Sequence, residues 1–167
     1  MSAARRSSWQ DTTPPTVKES LALTLLWPPD HNLVNVGLGA SVKDVCNPNP
    51  VTKVLVFGNE DDETPTGDGN FSPDAKNIGL TTLRLREERK GDGRGRIYLN
   101  VVRATDASGN VSFDCGTVVV PLDRSADSIA WVNAQATAAT TFCLGNKGEA
   151  PPGYFVIGDG PIIGPKQ

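Results

Sequence analysis

Three kinds of side chain in this 167-residue sequence could do chemistry: 19 carboxylates, three cysteines and a single histidine. The histidine, His31, follows Trp27, Pro28, Pro29 and Asp30. With no second histidine and no nucleophile–base pair to propose around it, it reads as part of a structural turn. Paired carboxylates can serve as the acid and base of a glycosidase. Here they sit among Gly and Asn with no aromatic cleft implied, so the expectation is a protein that is not an enzyme. Carboxylates in loops have another use. Calcium takes six to eight oxygen ligands in flexible geometry from Asp, Glu, Asn and backbone carbonyls. Zinc is disfavoured by the lone histidine and the absence of a CxxC pair.

The elements that would position these carboxylates read as strands. Six apolar runs alternate with turn clusters: 17–26, 33–43, 51–57, 78–86, 96–104 and 111–120. The separators include WPPDHN, CNPNP, a long acidic stretch, ERKGDGRG and the compact hairpin turn DASGN. Within 97–101, Ile97, Leu99 and Val101 fall on one face, with Tyr98 and Asn100 on the other. That is the period of two of a strand with one face on a core. The expected fold class is all-β, an immunoglobulin-like Greek-key β-sandwich of about seven strands with a C-terminal extension. Residues 1–10 read as a flexible arm without the apolar core of a secretory signal, 11–123 as the sandwich, and 124–167 as the extension. In that extension Ser125 could cap a short helix, and YFVI could form a short strand.

In such a sandwich, alternate loops share a pole. One pole gathers Asp11, Asp44 and Asp106. The other gathers Asp30, the acidic loop with Glu60 and Asp62, then Glu87, Glu88, Asp92 and Asp123. Like charges so placed repel unless a cation lies among them, and Glu60, Glu88 and Asp106 stand at strand ends where geometry is fixed. The expected cofactor is Ca2+, with Asp11, Glu60, Asp62, Glu88, Asp106 and Asp123 as candidate ligands. Arg84, Arg86, Arg89, Arg94 and Arg96 read as a basic stripe balancing the acidic loops through surface ion pairs.

Bulk properties set outer limits. A net charge of −3 opposes a nucleic-acid partner, which needs a basic face. No apolar run approaches a membrane span. Trp9, Trp27 and Trp131 lie in separate segments and read as local anchors, with a carbohydrate-stacking platform as the alternative.

Several motifs occur together and in order: DTTPP at 11–15, WPPDH at 27–31, DVCNPNP at 44–50, GDGNFSPD at 67–74, LREERKGDGRGRIY at 85–98 and ATDASGN at 104–110. Over residues 11–123 this pattern resembles bacterial extracellular immunoglobulin-like domains, which are related to hyalin-repeat domains and more distantly to cadherin-like modules. The resemblance implies a secreted or cell-surface, non-catalytic, structural or adhesive role. It also implies calcium ligation by Glu88 and Asp106, and a disulfide between Cys46 and Cys115 that places the protein in an oxidising compartment. Cys143 is then left over, for intermolecular pairing or as a buried thiol. The expected partners are neighbouring domains or identical subunits reached through the termini, or carbohydrate. The alternative functions are a self-assembling subunit of a filament, surface layer or virion-like particle, and a carbohydrate-binding accessory domain of a secreted hydrolase.

Overall fold

The computed structural model describes residues 9–63, 71–160 and 162–166. Most of the arm at 1–10 and the GDG sequence at 67–69 lie outside the described residues. The described strands are β1 (Thr16–Ser20), β2 (Leu33–Asn35), β3 (Gly39–Lys43), β4 (Val51–Gly58), β5 (Ala75–Gly79), β6 (Thr82–Arg86), β7 (Gly95–Thr105), β8 (Val111–Pro121) and β9 (Phe155–Val156), with one helix, α1 (Ala126–Gly145), before β9. They form antiparallel sheets in the orders β1-β3, β2-β6-β5 and β8-β7-β4-β9. The fold is all-β and sandwich-like with one helix.

The apolar run 33–43 is broken into β2 and β3 at Gly37. That residue has φ +65, and a Cβ there would come 2.6 Å from the Ala22 Cβ, so only glycine lets the chain bend this close to its neighbour. The run 78–86 supplies the end of β5, the hairpin turn and β6, while Asn77, with φ 51, lies where the β5–β6 register shifts. The run 17–26 is strand only in its first part. Its end lies along β8, where Leu25 bridges Val119 and the Leu26 amide donates to the Val119 carbonyl at 2.9 Å.

Both faces of β7 are buried, where the alternation read from 97–101 suggested one. Tyr98 faces the inter-sheet core with Leu26, Val36, Leu38, Val56, Leu83 and Leu85. Ile97 faces α1, packing with Val119, Val132, Ala136 and Ala139. The helix rests on the outer face of the β8-β7-β4 sheet through Val132, Ala136, Ala139 and Cys143, spaced to share one helical face. Three of these are small, which lets the helix lie close to the strands and also removes the apolar stripe that marks most surface helices. Ser125 does cap it, its Oγ accepting from the Ser128 amide at 3.1 Å, but the helix runs 20 residues rather than a short turn.

The extension folds back on the sandwich. β9 pairs with β4 at Phe57↔Val156 and Gly58↔Phe155, Ile157 enters the inter-sheet core, and Ser72 bridges Ile163.

The disulfide differs from the expectation. Cys115 of β8 pairs with Cys143 of α1, their Cα atoms 6.4 Å apart, while Cys46 is an exposed free thiol. The Asp44 carboxylate accepts from the Cys46 and Asn47 amides, at 2.8 and 2.6 Å. This turn directs Cys46 to solvent, whereas Cys143 lies on the sheet-facing row of the helix beside β8. The bond therefore ties helix to sheet and not sheet to sheet.

Candidate metal centre

One pole brings three carboxylates together. Asp11 precedes β1, Asp44 follows β3 and Asp106 follows β7, and one ligand oxygen from each lies within 4.8 Å of the others. Each is held by its own turn, as short polar side chains commonly hold nearby amides. Asp11 Oδ1 accepts from the Thr13 amide at 2.9 Å. Asp106 Oδ1 accepts from the Ser108 and Asn110 amides, both at 2.8 Å, and its Oδ2 accepts from Asn110 Nδ2 at 2.8 Å. The same Nδ2 donates to the Asp11 carbonyl at 3.0 Å and ties the N-terminal segment to the DASGN turn. Burial opposes ionisation of Asp106, yet the Asn110 side chain and the surrounding amides hold its carboxyl below the usual range.

Among the described residues no lysine or arginine forms an ion pair with any of the three. Asp44 Oδ2 is buried and, among the described residues, accepts no hydrogen bond. A buried carboxylate oxygen without a donor is costly, and this one belongs to a cluster of like charge. The donors here are all oxygen, on turns that leave room for carbonyls and water, which suits a hard cation of the calcium type. The Asp11 carboxylate, with burial and Asp44 adding to it, raises the nearby Cys46 thiol above its usual range. That thiol stays protonated and outside an all-oxygen site.

The other candidate ligands sit elsewhere and are engaged differently. Glu60 Oε2 accepts from Arg96 Nε and from the Lys90 amide, both at 3.0 Å. Asp62 Oδ2 accepts from the Asp74 and Gly158 amides at 3.0 and 3.2 Å. Glu88 is fully buried, with Oε2 3.4 Å from His31 Nδ1 and 4.0 Å from Arg86 Nε. Asp123 is exposed and accepts from the Ser125 amide at 2.8 Å, opening the helix. The structure thus brings Asp11 and Asp106 together with Asp44, and leaves Glu60, Asp62, Glu88 and Asp123 outside that cluster.

The arginines explain why. Arg86 and Arg96 are 0% and 1% exposed, so these two are core groups and not part of a surface stripe. Asp74 bridges them, accepting from Arg86 Nε at 2.9 Å and pairing with Arg96 Nη1. Tyr98 closes the network: its hydroxyl donates to the Arg86 carbonyl at 2.9 Å and lies 3.2 Å from Arg96 Nη1. Arg86 also donates to the His31, Pro73 and Lys166 carbonyls at 2.7, 2.8 and 2.6 Å. Burial pushes the Asp74 carboxyl up to about 6 against the pull of Arg96, with Asp62 adding to the rise. At this pole Arg96 pairs with Glu60, and Arg86 lies 4.0 Å from Glu88.

No family model matches the chain, and no curated protein or solved structure does. The site therefore has to be read from its own chemistry. His31 stacks on Phe71 with ring centroids 4.4 Å apart and has φ 66, in keeping with a turn role. Trp131 packs beside the helix–sheet cluster with the Arg94 guanidinium 4.9 Å from its ring centroid.

Proposed function

We propose that this protein is a non-catalytic, calcium-stabilised structural or adhesive module of the immunoglobulin-like type, working outside the cytoplasm. The observation that carries this reading is the Asp11–Asp44–Asp106 cluster, with the buried, donorless Asp44 Oδ2 among its oxygens. A divalent cation would neutralise the three carboxylates and join three segments distant in sequence: the entry to β1, the end of β3 and the β7–β8 turn. Its contribution would be mechanical order at one pole, which is what a spacer or attachment module requires of its end. The Cys115–Cys143 disulfide supports an oxidising compartment, and no described helix is long and apolar enough to cross a membrane.

The test is thermal unfolding with calcium and with excess chelator. Binding to the native state alone stabilises by about 2.7 kcal/mol at a hundredfold excess of ligand over Kd, which moves the midpoint by several degrees. The expected result is an upward shift that is lost in Asp44→Asn and Asp106→Asn and retained in Asp123→Asn. An identical midpoint with calcium and with chelator would refute the reading.

A further inference from the structure

A further acidic side chain is half-buried in the sandwich and, among the described residues, forms no ion pair with a lysine or arginine. Glu19 of β1 reaches over the β7–β8 pair, and both its carboxylate oxygens accept from Asn100 Nδ2, at 2.9 and 2.8 Å. Asn100 is fully buried and pairs across the ladder with Gly116. The missing side chain of Gly116 is the space Glu19 occupies: a Cβ there would come 1.7 Å from Glu19 Oε1. The carboxylate is therefore seated in a notch that only glycine leaves open.

The charges around this notch are of one sign. From β8, Asp114 faces the same backbone, its Oδ2 accepting from the Glu19 amide at 2.9 Å. From β7 the facing group is the neutral Asn100, since Arg103 turns instead to the Lys147 carbonyl and Glu149. From β3 the residue across is Ala40, while Lys43 lies at the far end of the ladder opposite Thr16. Lys18, the neighbour on β1, is exposed. A second observation concerns the amide itself. Asn100 Oδ1 is buried and has no donor among the described residues, although a side-chain amide that gives its N–H groups normally also accepts.

We propose that Glu19 and Asn100 form a proton-gated latch that holds β1 on the β7–β8 sheet. With its proton, Glu19 closes an acid–amide pair. The carboxyl O–H donates to Asn100 Oδ1 after rotation of the amide, and Asn100 Nδ2 donates to the other carboxyl oxygen. The orphaned Oδ1 gains its donor and no charge is buried. When the proton leaves to solvent, Oδ1 loses its donor and a carboxylate stands beside Asp114 in the notch, so β1 loosens. Burial first, then Asp114, raise the Glu19 carboxyl to about 7, with Asn100 pulling the other way. The gate thus works near neutrality. It does not depend on the cation reading, since it involves none of the three clustered aspartates.

The experiment is a carbon-detected NMR titration of the Glu19 side-chain carboxyl, together with amide hydrogen exchange of β1 and β3 at pH 6 and pH 8.5, corrected for intrinsic rates. The expected Glu19 midpoint lies near neutrality. Between these two pH values amide protection in β1 should fall by about tenfold, the part of the linkage that lies above pH 6 for a midpoint near 7. In Glu19→Gln, which keeps the shape and a permanently neutral head, that fall should disappear. In Asp114→Asn the Glu19 midpoint should move toward acid. A wild-type midpoint in the ordinary glutamate range, or the same pH dependence of β1 protection in Glu19→Gln, overturns the latch.

Discussion

Reducing the Cys115–Cys143 bond should cost this protein much of the docking energy of α1. The bond closes a segment with a sequence separation of 28. For a loop of that length, the restriction it places on the unfolded chain amounts to about 3.5 kcal/mol. The helix otherwise holds the sheet through Val132, Ala136 and Ala139. Transfer of one valine and two alanine side chains from water contributes on the order of 3 kcal/mol, so the crosslink is as large as the fully buried part of a contact that half-buried Trp131 extends. The assay is urea unfolding of Cys46→Ser, oxidised and reduced, which changes one bond and leaves no third thiol to exchange. We expect the reduced form to lose about 3 kcal/mol, and its helix amides to exchange before those of β7. Alkylation of the unreduced wild type should label one thiol, Cys46. A loss below about 1 kcal/mol, or label on Cys143, would refute this account of how the helix is held.

Other outcomes follow from the same packing. Arg96→Met leaves Glu60 buried without its cation and Asp74 with only one of the two it bridges, and should cost about 3–5 kcal/mol in urea unfolding. Arg84→Met, at a half-buried site with one bond to the Leu33 carbonyl, should cost about 1 kcal/mol. Gly95→Ala puts a Cβ 2.5 Å from Val132 Cγ1 at a residue with φ +122; a loss of about 2–3 kcal/mol is expected, seen as a lower melting temperature. Because the folded Glu19 carboxyl lies at about 7 against an ordinary value of 4.5, the folded chain holds an extra proton between those values. Stability from this group is full below the lower value and is lost as pH rises through the upper one, roughly 3 kcal/mol at most. Melting temperatures at pH 5 and pH 8 should diverge less in Glu19→Gln than in the wild type.

The strands were legible because β-branched and apolar runs bounded by Gly, Pro, Asn and Asp have few other uses. The meeting of Asp11, Asp44 and Asp106 was legible as well, since alternate loops of a sandwich share a pole. What stayed hidden has physical causes. Alternation cannot say which face of β7 meets which layer when both are covered. Taking the Ile97 face as the one core face concealed that Arg96, Tyr98 and Asn100 lie on the inter-sheet side, and with them the ionic network. An arginine in a strand reads as surface unless its acceptors are known, and those of Arg86 come from residues as distant as Lys166. The helix was shortened because alanine and threonine carry little periodic signal. The Cys46–Cys115 pairing rests on the resemblance alone, which stops short of residues 124–167, where the true partner Cys143 lies.

The place of Ile157 in the core has a consequence for how the chain is made. The cluster it joins also contains Leu26 and Val36, so the sandwich interior is assembled from residues at both ends of the described chain. During synthesis the early strands emerge first, yet the space Ile157 fills stays open until β9 has left the ribosome. Until β9 is made, β4 keeps an open edge and the interior lacks Ile157.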